Sequence, residues 1–288
     1  NVSFAAPSSI SRKYVARQVS DGLPSLQLLG KAHYNLGGLQ IDHGANRERG
    51  LTTRSAAGIE VTEWETGRKI PVVVPAGARV GGLTWSPDGQ QIAFLALFPN
   101  ATHIYVADAA TGKSRPLTTK SLLATNVTNI EWSADSKSII TVLVPDARGP
   151  EPKEPALAPG PMVRTNENNK LKTRTYADLV TTPFEKTLLE YHTTGQLAVI
   201  DVKTRAVKPI GKPGLLRAVD ASPDGQFFRA TYVEKPFSYV LPVSSYGTSE
   251  VIIDGTGKVL KEIAKRPLRE GEEPVDPADP RPAAPGAG

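Results

Sequence analysis

The sequence predicts an all-β protein: a partial, open β-propeller of about four four-stranded antiparallel blades with a short helical insertion. Three observations predict it. A turn motif recurs three times, an apolar run follows each copy, and the spacing between copies has the length of a blade.

The copies are Gly82-Leu83-Thr84-Trp85-Ser86-Pro87-Asp88-Gly89, Asn129-Ile130-Glu131-Trp132-Ser133-Ala134-Asp135-Ser136 and Ala218-Val219-Asp220-Ala221-Ser222-Pro223-Asp224-Gly225. The motif reads as a hairpin: a strand ends, a turn follows, made in the first and third copies by a proline of fixed φ and a glycine free to take positive φ, and a second strand follows. The second strands are the apolar runs 92–97, 139–144 and 227–232. In the first unit a third strand, Ile104-Tyr105-Val106-Ala107-Asp108, closes through Thr111-Gly112 into a fourth beginning at Ser114. Residues 196–210 and 249–263 repeat that second hairpin.

Ser86 and Ser133 lie 47 residues apart, and Ser133 and Ser222 lie 89 apart, as for one unit carrying an insertion. A weaker start at Ala6-Pro7-Ser8-Ser9, followed by Tyr14-Val15-Ala16, adds a degenerate first blade. The expected blades span roughly 5–75, 80–120, 127–210 and 215–265, within a propeller domain 1–266. Closed propellers commonly need more blades, so the ring is expected to be unfinished in this chain. A β-sandwich stays open as the alternative, since it too spaces short strands regularly.

Two insertions interrupt the repeat. Residues 22–50 hold Leu23-Pro24-Ser25-Leu26, a helical stretch to Leu29, then a loop around Gly37 and Gly38 that is expected to pack locally. Residues 145–190 open with a proline-dense stretch expected to run extended over the surface. Residues 175–180 and 184–191 then read as two short helices parted at Thr182-Pro183. Long insertions at blade edges are more often functional than decorative. Residues 267–288 turn to Glu, Asp, Pro, Ala and Gly, a composition expected of a disordered tail or linker.

Composition excludes several functions. With 34 basic and 29 acidic residues and no run of five or six like charges, the chain lacks the footprint of a nucleic-acid binder. It has no cysteine, hence no disulfide, thiolate metal site or cysteine nucleophile, and its compartment stays open. It has no long apolar run to span a membrane. Met162 is the sole methionine, so Asn1 is expected to follow a removed leader or an excision.

The stretch Pro145-Asp146-Ala147-Arg148-Gly149-Pro150, Gly160-Pro161, Asn166-Glu167, Thr173-Arg174-Thr175-Tyr176-Ala177-Asp178-Leu179, Tyr191-His192 and Gln196-Leu197 resembles a blade insertion of the glutamyl endopeptidase branch of the prolyl oligopeptidase family of serine peptidases. Leu23-Pro24 followed by Leu39-Gln40-Ile41-Asp42 is similar to that branch's earlier insertion, in the same order. The resemblance covers about 200 residues and implies an α/β-hydrolase domain in the same polypeptide, with a Ser-Asp-His triad cleaving after glutamate. The propeller would then cap the active site and filter peptide substrates.

The triad itself is absent, because a nucleophile elbow needs Gly-x-Ser-x-Gly and none occurs in the sequence. His33, His43, His103 and His192 show no metal-ligand spacing, so no cofactor or metal is implied. His192, inside the second insertion, reads as structural or solvent-facing. Asp88, Asp135 and Asp224 read as turn residues bonding nearby amides, and Trp85 and Trp132 as blade core. Arg148, Arg164, Lys172 and Arg174 make the second insertion locally positive. A guanidinium fork suits a carboxylate, so these four are the candidate readers of acidic peptides, against the plainer reading of a solvated charged loop. A stand-alone interaction propeller without hydrolytic activity remains the other functional reading.

Overall fold

The computed structural model describes residues 4–5, 13–156 and 176–270. The first blade contains β1 (Phe4–Ala5) and β2 (Tyr14–Val19). A small sheet of β3 (Tyr34–Leu36), β4 (Leu39–Asp42) and β5 (Arg47–Glu48) is inserted there, before β6 (Gly58–Glu63) and β7 (Lys69–Pro71) complete the blade. The second blade is β8 (Arg79–Trp85), β9 (Gln91–Phe98), β10 (Ala101–Asp108) and β11 (Ser114–Pro116). The third is β12 (Ile130–Trp132), β13 (Ser138–Leu143), β14 (Gln196–Asp201) and β15 (Val207–Pro209). The fourth is β16 (Leu216–Ala221), β17 (Phe227–Val233), β18 (Thr248–Asp254) and β19 (Val259–Arg266). The sheets form an open arc, a partial propeller.

Burial explains the order of the blades along the arc. In β9 both strand faces are buried: Ile92, Phe94 and Ala96 pack on the first blade, and Ala93, Leu95 and Leu97 on the third. Residues alternate sides along a strand, so a sheet covered on both sides needs a continuous apolar run. That is why 91–98 contains almost nothing polar. The end blades alternate instead. Phe228 is fully buried against Ile140, Val142 and Leu197 of the third blade, while its neighbour Phe227 is exposed. On the outer face of the fourth blade Arg229 bridges Asp220 at 2.7 Å and Glu250 at 3.7 Å. On the first, Arg17 and Lys69 flank Glu60 at 2.8 and 3.6 Å.

Every blade is an up-and-down meander, so its first and last connections lie on one face of the arc, the turn face. The middle connection and the link to the next blade lie on the other. On the turn face Asp88, Asp135 and Asp224 each accept a bond from the serine two residues earlier and from a backbone amide two residues later. Asp108 and Asp201 do the same for Thr111 and Thr204 in the second turns. Gly112 takes φ +71° there, and a Cβ would stand 2.2 Å from the Pro71 carbonyl oxygen of the first blade. Its own carbonyl accepts from Val73, joining the two blades.

Both insertions and the long 234–247 connection lie on the opposite, loop-bearing face. The first differs from the local loop expected: it is a hairpin sheet with α1 (Leu26–Leu29) and α2 (Arg49–Thr53). Its Leu36 and Ile41 share a core with Val180, Leu188 and Leu189 of the second insertion and Phe237, Leu241 and Val243 of the fourth blade. In the second insertion the two expected helices become one, α3 (Pro183–Thr193). Thr182 caps it by accepting from the Glu185 amide, Glu185 returns the bond, and Pro183 opens the first turn. Residues 176–178 bend instead, because Asp178 takes φ 58°, outside the right-handed helical range, and Leu179 and Val180 turn into the core. Residues 157–161 of the proline-dense stretch, the Ala6–Ser9 start and residues 271–288 lie outside the described residues, while 145–156 run without strand or helix and are mostly exposed.

Candidate functional site

The two insertions, about 100 residues apart in sequence, meet on the loop-bearing face through a cluster of ionisable and aromatic side chains. Along α3 the residues Leu188, Leu189, His192 and Thr193 are buried, one stripe at helical spacing. His192 therefore points inward and is fully buried, which removes the solvent-facing reading. Neither ring nitrogen has a hydrogen-bond partner among the described residues. Glu151 Oε2 stands 3.6 Å from Nε2, too far for a hydrogen bond.

Aromatic groups fill the space around it. Tyr34 of β3 donates to Glu151 at 2.6 Å and stacks on His43 with ring centroids 4.3 Å apart. Tyr191 meets His192 edge-on at 5.0 Å. Burial pushes the His192 imidazole down to about 4, with Arg148 and His43 adding to the effect and Glu151 opposing it. The neighbouring Glu151, followed by burial, pushes the Tyr34 phenol up to about 12.

Of the four sequence-predicted basic residues, Arg148 lies at this junction; Arg164, Lys172 and Arg174 lie outside the described residues. The Arg148 guanidinium donates to Asn46 Oδ1 at 2.8 Å and lies 3.9 Å from the Tyr191 ring centroid. It joins the first insertion to the second while half-buried, a cation–π geometry that also fixes its plane.

Beside this junction is a second polar group that sequence reading missed. Asp42, at the end of β4, is buried and accepts from Lys31 Nζ at 2.7 Å and Thr52 Oγ1 at 2.6 Å. Arg47, 3% exposed, lies 3.4 Å from the same oxygen. Arg47 also donates to the carbonyls of Phe98 and Ala101 and to Thr52 and Thr102, which ties the first insertion to the second blade. Burial works against the Arg47 charge and the Asp42 carboxylate sustains it. Lys31, Arg47 and Arg79 border a cleft of about 320 Å³ walled by Leu28, Leu97, Phe98 and Pro99.

No group of three or more His, Cys, Asp or Glu side chains able to hold a metal occurs among the described residues. Nor is any described helix long and apolar enough to cross a membrane. The geometry joins the two insertions through Arg148 with Asn46 and Tyr34 with Glu151.

The chain matches no protein-family model. Over 260 residues, 86% of its length, it is 27% identical to a probable chloroplastic glutamyl endopeptidase of rice (Oryza sativa subsp. japonica). Over 259 residues it is 25% identical to the protein of the same description from Arabidopsis thaliana. The chain resembles the propeller part of a glutamyl endopeptidase of the prolyl oligopeptidase family. It spans 28% and 27% of the length of these two relatives. Among solved structures, an acylaminoacyl peptidase of Pyrococcus horikoshii aligns over 92% of this chain and 33% of its own, with TM-score 0.50 and 15% identity. At that identity the likeness bears on the fold alone, and it agrees with the blades described above.

Proposed function

We propose that this chain is the non-catalytic propeller portion of a serine endopeptidase like glutamyl endopeptidase, where it caps the active site and gates or selects acidic peptides. The observation that carries the proposal is the convergence of the two insertions on one face, joined by Arg148, Glu151, Tyr34 and His192. A gate of this kind has to be a folded, movable assembly at the mouth of the ring, and insertions on rigid blades supply one. The catalytic α/β-hydrolase domain would lie in the same polypeptide.

Arg148, Arg164, Lys172 and Arg174 would attract or read the glutamate side chain, since guanidinium and carboxylate pair in a planar fork. The test is made in the complete peptidase, by comparing kcat/KM on glutamate and glutamine peptides before and after Arg148→Ala with Arg174→Ala. A fall in the preference for glutamate is expected. An unchanged preference overturns the selection.

One observation favours the other reading, an interaction propeller without hydrolysis. The outer faces of the end blades carry ion pairs where an added blade would need apolar contact. The reading frame beyond Gly288 separates the two: a Gly-x-Ser-x-Gly followed by Asp and His supports the peptidase, a stop codon the scaffold.

A further inference from the structure

The first insertion and the second blade enclose the cleft of about 320 Å³ on the loop-bearing face. Leu28, Leu97, Phe98 and Pro99 give it apolar walls, and no carboxylate lines it. Two of its cations stand side by side: Lys31 Nζ and the Arg47 guanidinium lie 2.7 and 3.4 Å from one oxygen, Asp42 Oδ2. Neither has all its donors engaged. Arg47 donates through Nε and Nη1 to Thr52, Thr102 and two carbonyls, while its Nη2 makes no hydrogen bond among the described residues. Lys31 has three donors and two partners, Asp42 and the Pro99 carbonyl. Arg79, the third cation at the border, is already held by both oxygens of Asp21.

Asp42 cancels one of the two cations that share it and leaves the other charge uncancelled. Arg47 is 3% exposed, so burial works against its charge, and a further anion would sustain it. A carboxylate entering the cleft therefore meets one net positive charge and unused N–H donors where little water competes. Apolar walls in the same small space favour a ligand that carries an aliphatic or aromatic group close to its carboxylate. In a peptide the last residue has both on one Cα. An internal glutamate would have to reach the walls through its neighbour, whose side chain in an extended chain points the opposite way.

The geometry points to this cleft as a binding site for the C-terminal residue of a peptide, with an apolar side chain against Leu28, Leu97, Phe98 and Pro99 and the α-carboxylate on Lys31 and Arg47. That the ligand is a peptide rests on the function proposed above; the pairing of an apolar group with a carboxylate does not. Asn46, which accepts the Arg148 bond, is the residue before Arg47, so the cleft adjoins the junction of the two insertions. Anchoring by a free end would select short peptides over folded chains, whose ends are tied to a large body.

Fluorescence anisotropy on the whole chain tests this with three N-terminally labelled peptides: Gly-Gly-Gly-Leu, its C-terminal amide, and Gly-Gly-Gly-Gly. The leucine acid is expected to bind, and the amide and the tetraglycine each to bind roughly tenfold or more weakly. Gln27→Trp puts a large ring at the border of the cleft from an exposed position, and should weaken the leucine acid by roughly the same factor. Lys31→Gln should bring the acid down to the level of the amide and leave the amide as it was, a ratio that loss of folding does not mimic. Lys137→Gln removes the same charge on the turn face and should leave the acid unchanged. The site falls if the leucine acid fails to bind, if acid and amide bind equally, or if Lys31→Gln and Lys137→Gln lose equally. Decanoate that displaces the labelled acid as well as unlabelled Gly-Gly-Gly-Leu does overturns the assignment to a peptide. A blank here, with a glutamate preference that does fall after Arg148→Ala and Arg174→Ala in the complete peptidase, overturns this inference alone. Binding as expected here, with that preference unchanged, overturns the proposed selection alone.

Discussion

The turn face and the loop-bearing face of this arc are made from different kinds of contact. On the turn face each carboxylate bonds a hydroxyl and an amide within a few residues of itself. On the loop-bearing face the partners are distant: Tyr34 with Glu151, Asn46 with Arg148, Gly37 with Val243. Local contacts repeat whenever their few residues repeat. Distant ones exist once, and they bury charge that the turn face leaves in water.

The largest expected difference between the faces is therefore a cost of burial. Arg47→Met would leave Asp42 with Lys31 as its sole cation and strand the Phe98 and Ala101 carbonyls. Breaking a buried ion pair by removing one partner costs about 3–5 kcal/mol. Urea unfolding should show a loss of that size. A loss below about 1 kcal/mol would mean that water already reaches the pair, and the contrast with the exposed turns would fail.

Acid offers the next test. A histidine whose folded pKa is about 4, below its unfolded value near 6.5, contributes stability that is complete above pH 6.5. Protons bind the unfolded chain first, so that contribution is lost as pH falls from 6.5 toward 4, by about 3 kcal/mol. His192→Gln should remove this part of the pH dependence. Stability that falls equally in parent and variant between those values would assign it to carboxylates instead. The local reading is hydrogen exchange: amides of α3 and β3 should open before those of β9 and β13.

Smaller again is the loss of one turn carboxylate. Asp224→Ala removes acceptors for Ser222 and the Gln226 amide at an exposed turn, where both donors can turn to water. About 1 kcal/mol is expected, the net worth of an ordinary intramolecular bond. Thermal unfolding checks it.

What the sequence revealed follows the same division. The Trp-Ser-x-Asp turns, the continuous run of 91–98 and the second hairpins each carry their structure locally, and the four blades were readable from them. The three-stranded sheet was not readable, because Tyr34, Asn35 and Leu36 have weak strand character and are held by a hairpin and a shared core. His192 carried a usable signal: Leu188, Leu189 and His192 fall on one helical stripe, so a helix at 183–193 buries it. Arg47 and Glu151 carried none, since they have partners in other blades or insertions, and Asp42 none, since its partners Lys31, Arg47 and Thr52 come together only when the first insertion folds.

The smallest effect concerns a position where the faces' rules mix. Gly89 and Gly225 take φ 69° and 68° at their turns, while the third blade has Ser136 there at φ 62°. A serine in left-handed backbone costs about 1 kcal/mol relative to glycine. Its hydroxyl, though, accepts from the Asp88 amide of the neighbouring blade at 3.1 Å, a distant contact on the turn face like that of Val73 with Gly112. A bond of that kind contributes about 1 kcal/mol, so Ser136→Gly should be close to neutral in urea unfolding. Ser136→Ala keeps the strain and loses the bond, and should cost about 1 kcal/mol. If alanine matches serine, the hydroxyl contributes nothing across the blades.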